Sequence, residues 1–381
     1  MGAAALPAVP SADRTSHPYH TYDMIREIPA TFRETFRRLT APAAETGAFL
    51  RDRPFLVFTG CGTASYAARL AGHFASSPSD RVRSAEVDAF ELSNYGPRLD
   101  RSSAVIGISH SGITKTTVDA LRDARARGAR TVGITHFPGR PIAEASDTVL
   151  VAGNGPDLSR CHTKCYVAGA LASALVALEW RVAAGGEPRA TVDMLREKLA
   201  AVPALMDRVL RTAEGPCEDL ASDLLARRSV GILGAGPNLP TALEAALKLR
   251  ESSFLPVQGM ELEDFLHGSW QPLDGESLVF VIATKGRAHA RALDLMRAAR
   301  VVGARVVAVA EEGDREVADR VDTVLEVPAV DELLSPFLNI IPLYLFAYYS
   351  SVERGHNPDC LRYLDPTYWE ARRFIFPPGT H

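Results

Sequence analysis

The feature that most limits what this chain can fold into is a duplication held at one offset. The turn TGCG ends at Gly62 and LGAG ends at Gly236, 174 residues later. AVIGIS, beginning at Ala104, has its counterpart in LVFVIA, beginning at Leu278, again 174 residues on. RGARTVGIT (127–135) and VGARVVAVA (302–310) are 175 apart, as are SDTVL (146–150) and VDTVL (321–325). Four landmarks agreeing to within one residue mark two copies of one series of elements. Each copy alternates short apolar runs with helical patterns, which predicts an α/β fold of two tandem three-layer units. Each unit is a parallel sheet flanked by helices, flavodoxin-like, with ligands expected at the carboxyl ends of the strands.

Within the first copy, residues 104–117 (AVIGISHSGITKTT) carry the clearest chemistry. Ala104 to Ile108 is short, continuous and apolar, as expected of a buried parallel strand. Ser109, Ser111, Gly112, Thr114, Thr116 and Thr117 follow, and a helix is expected from about Thr116 to Arg127. Gly112 permits a tight turn, the hydroxyls donate, and the unsatisfied N–H groups of the helix start point into the same space. Such a loop suits a phosphate, although the same residues also form ordinary N-caps.

The pattern S-x-S-G-x-T resembles the phosphate loop of the sugar isomerase (SIS) domain, as found in the isomerase half of glutamine-fructose-6-phosphate aminotransferase. That resemblance implies Ser109, Ser111 and Thr114 as phosphate ligands, with His110 where the family often has Gln. Residues 20–28 (HTYDMIREI) resemble the start of the same isomerase half, so the likeness covers nearly everything after residue 19. RCHTKCY (160–166) resembles a further family loop and implies Thr163 and Lys164 at the sugar site, with His162 in place of Ser. Ala64 stands where the family often has a phosphate-binding Ser, so Thr63 or Ser65 is expected to compensate.

The catalytic groups are expected in the second copy, where residues 238–268 align without a gap to the family's stretch. Lys248 and Glu251 lie three apart on a predicted helix, which sets a carboxylate beside a cation that keeps it ionised. The resemblance implies Glu251 as the base that moves a proton between C1 and C2 of an open-chain sugar, and His267 as the group that opens the ring. The C-terminal segment 355–366 resembles the family's closing tail and implies a lid carrying Arg362. The family's final Lys, which can form an imine, is replaced by Pro366, and Gln258 replaces a common Glu.

Other classes are set aside by composition and motif. A net charge of −4 gives no general attraction to nucleic acid or to an anionic membrane. Gly60-Cys61-Gly62 and Gly234-Ala235-Gly236 begin like dinucleotide fingerprints, but the third positions are Ser65 and Leu239, so no nucleotide cofactor is expected. Cys161-His162-x-x-Cys165 lacks a matching second pair in the sequence, so no metal is expected either. Five cysteines in 381 residues form no disulfide framework and fit a cytoplasmic protein. The start lacks a basic n-region and is expected to be a tail, not a signal peptide. No apolar run is expected to span a membrane, the nearest being Pro336 to Tyr349.

The expected organisation is a disordered tail (1–19), a first SIS unit (20–186), a helical linker (187–225), a second unit (226–354) and a closing tail (355–381). The expected activity is cofactor-free aldose-ketose isomerisation of a phosphorylated sugar or amino sugar by a homodimer. Amine release from a fructosamine-type phosphate, ammonia-dependent amination and non-catalytic sensing remain open alternatives. Glutamine hydrolysis is not expected, because residue 2 is Gly where the family's glutaminase half exposes a cysteine.

Overall fold

The described residues form ten strands, most of them from the apolar runs: β1 (Phe55–Thr59), β2 (Arg83–Glu86), β3 (Ser103–Ile108), β4 (Arg130–Thr135), β5 (Thr148–Val151), β6 (Ser229–Gly234), β7 (Val257–Glu261), β8 (Ser277–Ile282), β9 (Arg305–Glu311) and β10 (Thr323–Val327). The computed structural model describes residues 13–376 apart from 78, 225–226 and 228. One sheet runs β2-β1-β3-β4-β5 and the other β7-β6-β8-β9-β10. All their pairings are parallel. The duplication therefore extends to topology and also to register. Val57 pairs with Val105 across β1 and β3, and Gly231 with Val279 across β6 and β8, each residue 174 positions after its counterpart. β3 and β8 are buried at every position, because helices cover both sheet faces.

After β5 the chain enters the helix Lys164–Ala183, whose side chains are buried almost throughout. It packs against the helices Ile28–Phe49 and Thr63–Ala75. By length and composition this helix could cross a membrane, contrary to the sequence expectation, but 94% of its apolar window lies inside the protein. It is a core helix enclosed by its neighbours, which explains why its sequence is apolar on every face. Its counterpart after β10, Pro336–Glu353, is equally buried.

The two units are joined by the 36-residue helix Arg189–Leu224, which packs on both Pro336–Glu353 and Ile28–Phe49. An ionic clamp fixes its start. The buried Glu179 carboxylate receives Arg189 at 2.8 Å and Arg196 at 3.1 Å. Of the segment 1–19 expected to be disordered, residues 1–12 lie outside the described residues. Within 13–19, which is mostly exposed, the Tyr19 N–H donates to Tyr348 Oη at 3.1 Å and Arg14 pairs with Asp23 at 2.6 Å.

The C-terminal segment is more regular than a loop-like lid. Asp365 accepts the Thr367 N–H at 2.9 Å and Pro366 opens a helix that runs to Ile375, so the proline that replaces the family's lysine serves as a helix start. In the second unit, Asn238 Nδ2 donates to Ser335 Oγ at 2.9 Å and Asn339 Nδ2 to Asn238 Oδ1 at 2.9 Å, with Thr284 Oγ1 3.4 Å from both amide nitrogens. All four residues are buried.

Candidate active site

The carboxyl ends of β1 and β3 open into a cavity of about 1080 Å³ whose wall draws on both units. The first unit supplies the turn after β1, the loop after β3, and His136 at the end of β4. The second supplies Leu247 and Glu251, and the C-terminal segment adds Tyr363, Arg372 and Phe376.

The loop after β3 folds on its own hydroxyls. Ser109 Oγ accepts the Gly112 N–H at 3.1 Å and donates to Thr114 Oγ1 at 3.0 Å, while Ser111 Oγ lies 3.4 Å from the Ile113 nitrogen. Gly112 sits at φ +69°, and a Cβ there would come within 2.7 Å of Arg140 Cβ, so the turn needs glycine on both counts. The helix Lys115–Ala126 then begins with no side-chain cap, leaving its first N–H groups for an anion. Ser109, His110, Ser111 and Thr114 all line the cavity. Replacing Ser109 and Ser111 with Ala is expected to weaken binding of a sugar 6-phosphate by about 1–3 kcal/mol per hydroxyl. Calorimetric titration checks this, and unchanged affinity would remove the loop from the phosphate role.

The helix Leu239–Ser253 carries a row of charge through the core. Lys248 Nζ lies 2.7 Å from Glu251 Oε2 and 3.6 Å from Glu244 Oε1. Glu244 is fully buried, accepts from Tyr344 Oη at 3.0 Å, and has Thr63 Oγ1 at 3.4 Å. Burial pushes the Glu244 carboxyl up to about 7 against the pull of Lys248. Burial also opposes the Lys248 charge, but Glu244 and Glu251 outweigh it and hold the ammonium well above the usual lysine value. Glu251 is thus the member of the row that combines an adjacent cation with access to the cavity.

A pH dependence follows. Between the ordinary glutamate value and about 7, folded Glu244 keeps a proton that the unfolded chain has released, so stability declines as pH rises through that window. Glu244→Gln removes this slope. Relative to the variant, wild type is expected to lose about 1–3 kcal/mol between pH 5 and pH 8. Parallel urea curves in the two proteins would refute the assignment.

Other sequence-derived candidates are placed differently. Thr63 lines the cavity, but Ser65 is committed to Asp88 and does not. Lys164 Nζ is tied to Glu27 at 2.6 Å and, like Thr163, lies outside the cavity wall. Arg362 lies over the rings of Phe254 (4.3 Å) and Tyr368 (4.5 Å) and is likewise not on the wall. His267 sits in an irregular turn with Nδ1 2.8 Å from Glu263 O; its side chain is 71% exposed and outside the cavity of its own chain.

Sequence reasoning missed Glu244, Arg160 and Arg372. Glu244 had a signal, being four residues before Lys248 on one helix face. Arg160 opens the loop RCHTKCY already read as part of the sugar site, whereas Arg372 had no signal and reaches the cavity only through tertiary placement.

Comparison with known proteins gives the same frame. The SIS domain family profile matches residues 49–178 and 223–354. The chain is 34% identical over 322 residues to glutamine-fructose-6-phosphate aminotransferase (isomerizing) of Mycobacterium tuberculosis, covering 82% of this chain and 50% of the relative. It is 32% identical over 362 residues to the enzyme of that name in Aquifex aeolicus, covering 94% and 59%. The chain thus spans about half the length of the curated relatives it matches. Among solved structures, the C-terminal domain of glucosamine-fructose-6-phosphate aminotransferase from Francisella tularensis superimposes with a TM-score of 0.83 at 19% identity, covering 91% of this chain and 99% of that one.

Proposed function

Because the chain belongs to the SIS domain family, with one domain in each half, we propose that it is a cofactor-free aldose-ketose isomerase acting on a phosphorylated sugar or amino sugar. One observation carries this reading. A hydroxyl loop at an uncapped helix start and a lysine-flanked carboxylate share one cavity, although they come from different units.

The phosphate is held by Ser109, Ser111 and Thr114 together with the N–H groups that open Lys115–Ala126. The open-chain sugar then extends toward Glu251, whose carboxylate takes the proton from one carbon and returns it to its neighbour. Lys248 Nζ lies 2.7 Å from that carboxylate, and Arg160 and Arg372 add positive charge to the wall in a chain of net charge −4. The C-terminal segment closes over the sugar through Tyr363 and Arg372 and excludes water. It holds no lysine between Gly355 and His381, which favours proton transfer over imine-based amination. Five unbridged cysteines suit a reducing cytoplasm.

The test is to incubate the chain with glucosamine 6-phosphate, glucose 6-phosphate and a fructosamine phosphate in deuterium oxide. Deuterium entering C1 or C2 without loss of amine supports isomerisation. Amine release would move the assignment to a deglycase or deaminase, and binding without exchange would leave a sensor.

We also propose that the protein is a homodimer in which the exposed His267 reaches the site of the neighbouring subunit to open the sugar ring. Mixing inactive Glu251→Gln with inactive His267→Ala is then expected to restore about a quarter of wild-type activity, by random pairing of one intact site per mixed dimer. No recovery after verified subunit exchange would assign each chain its own ring-opening group.

A further inference from the structure

The sequence offers Cys161-His162-x-x-Cys165 with no second pair of ligands, yet the fold supplies one from a distant segment. His110, at the end of β3, is brought to His162 and Cys165, and one ligand atom from each of the three lies within 4.8 Å of the others. The rings of His110 and His162 are 4.6 Å apart. Behind them stands His136, at the end of β4, with its ring 4.4 Å from that of His110.

The nitrogens of this group have nothing else to do. His110 Nδ1, His162 Nδ1 and both ring nitrogens of His136 are buried without a hydrogen-bond partner among the described residues. Buried nitrogens without partners are costly, so a metal that engages the His110 and His162 rings would offset part of that penalty. The fold also makes room for them. Gly153 adopts φ +84°, and a Cβ there would fall 2.6 Å from His136 Cδ2.

We propose that His110, His162 and Cys165 bind a divalent transition metal of the zinc type inside the cavity. The donor set selects the class: neutral imidazole and thiolate suit zinc or cobalt, whereas magnesium and calcium require oxygen. Burial, with the Lys164 ammonium nearby, pushes His110 down to about 4 and holds His136 and His162 well below the ordinary histidine value, while it holds the Cys165 thiol well above its own. Cys165 is buried and unbridged. As the sulfur-metal bond forms, its thiol proton passes to solvent, which makes affinity rise with pH.

Bonds of about 2.0–2.3 Å place tetrahedral ligand atoms roughly 3.3–3.8 Å apart. From separations of up to 4.8 Å, the cluster therefore contracts by up to about 1.5 Å on binding, through rotation of the two rings. Three protein ligands leave a fourth position open. All three residues line the cavity that holds the hydroxyl loop and Glu251, so that open position faces the same space. The His136 ring packs against that of His110 from behind.

The inference is independent of the sugar chemistry, and its test contains no sugar. The full chain is treated with a chelator, desalted and titrated with Co²⁺ alone while the absorption spectrum is recorded. One Co²⁺ per chain is expected, with a thiolate-to-cobalt charge-transfer band in the near ultraviolet. The band should vanish in Cys165→Ser, and affinity should fall at least about tenfold in His162→Ser and in His110→Gln, since loss of even an outer-shell partner commonly has that effect. His110→Gln lies in a half-buried loop, and circular dichroism verifies the fold of each variant. His289, Asp314 and Glu316 form a separate group of possible ligands, so His289→Asn serves as the control and should leave the band unchanged. No stoichiometric binding, a band that survives Cys165→Ser, or a band lost in His289→Asn would each overturn the proposal.

Discussion

In Glu251→Gln, interconversion of the aldose and ketose phosphates is expected to fall by about 10²- to 10⁴-fold, while affinity for the sugar phosphate stays within about tenfold. The substitution preserves size and can still accept a hydrogen bond from Lys248 Nζ, now 2.7 Å from the carboxylate. What it removes is the ability to hold a proton reversibly. The phosphate contacts belong to the other unit and should not change. Solvent deuterium should therefore enter the sugar with wild type and not with the variant. Equal exchange in both would show that another group moves the proton. Loss of affinity parallel to loss of rate would instead make Glu251 a binding residue.

The second large effect is expected far from the cavity. Gly47 lies in the helix Ile28–Phe49 where that helix crosses Lys164–Ala183, and a Cβ added to it would meet the backbone carbon of Glu179 at 2.7 Å. Glu179 cannot yield easily, because Arg189 and Arg196 clamp its carboxylate. Alanine at a helical glycine ordinarily gains about 1 kcal/mol, so the sign of the change reports whether the backbones can separate. Gly47→Ala is expected to be destabilising despite that gain, and Gly47→Val to cost about 3 kcal/mol through overpacking. A lower urea midpoint at unchanged slope would be the signature. A neutral Gly47→Val would mean that the two helices slide apart without penalty.

The central strands were legible because they are short apolar runs at a repeated offset, whereas the edge strands Arg83–Glu86 (RSAE) and Val257–Glu261 (VQGME) carry no such pattern. The hydroxyl loop and the Lys248–Glu251 pair were legible because their members are close in sequence. Residues whose role depends on distant neighbours were not. Ser65 looked available until Asp88 claimed it, and Lys164 until Glu27 did. Arg372 reaches the cavity only because Pro366 starts a helix, which the reading of the segment as a lid had concealed. The histidines at the ends of β3 and β4 are 26 residues apart in sequence, and only the adjacency of those two strands brings them together.

The buried group of Asn238, Thr284, Ser335 and Asn339 bears on how many molecules one chain can hold. Asn238 and Thr284 follow Ala64 and His110 by the repeat offset of 174, so they occupy the second unit's version of the cavity mouth. There the side chains bond to one another. Opening that mouth would break the hydrogen bonds of a buried polar cluster and leave several more amide and hydroxyl groups without partners. Internal twofold repetition would otherwise predict two equivalent ligands with a single affinity. Saturation should instead come at one sugar phosphate per chain, with the second copy's own mouth contributing no binding heat.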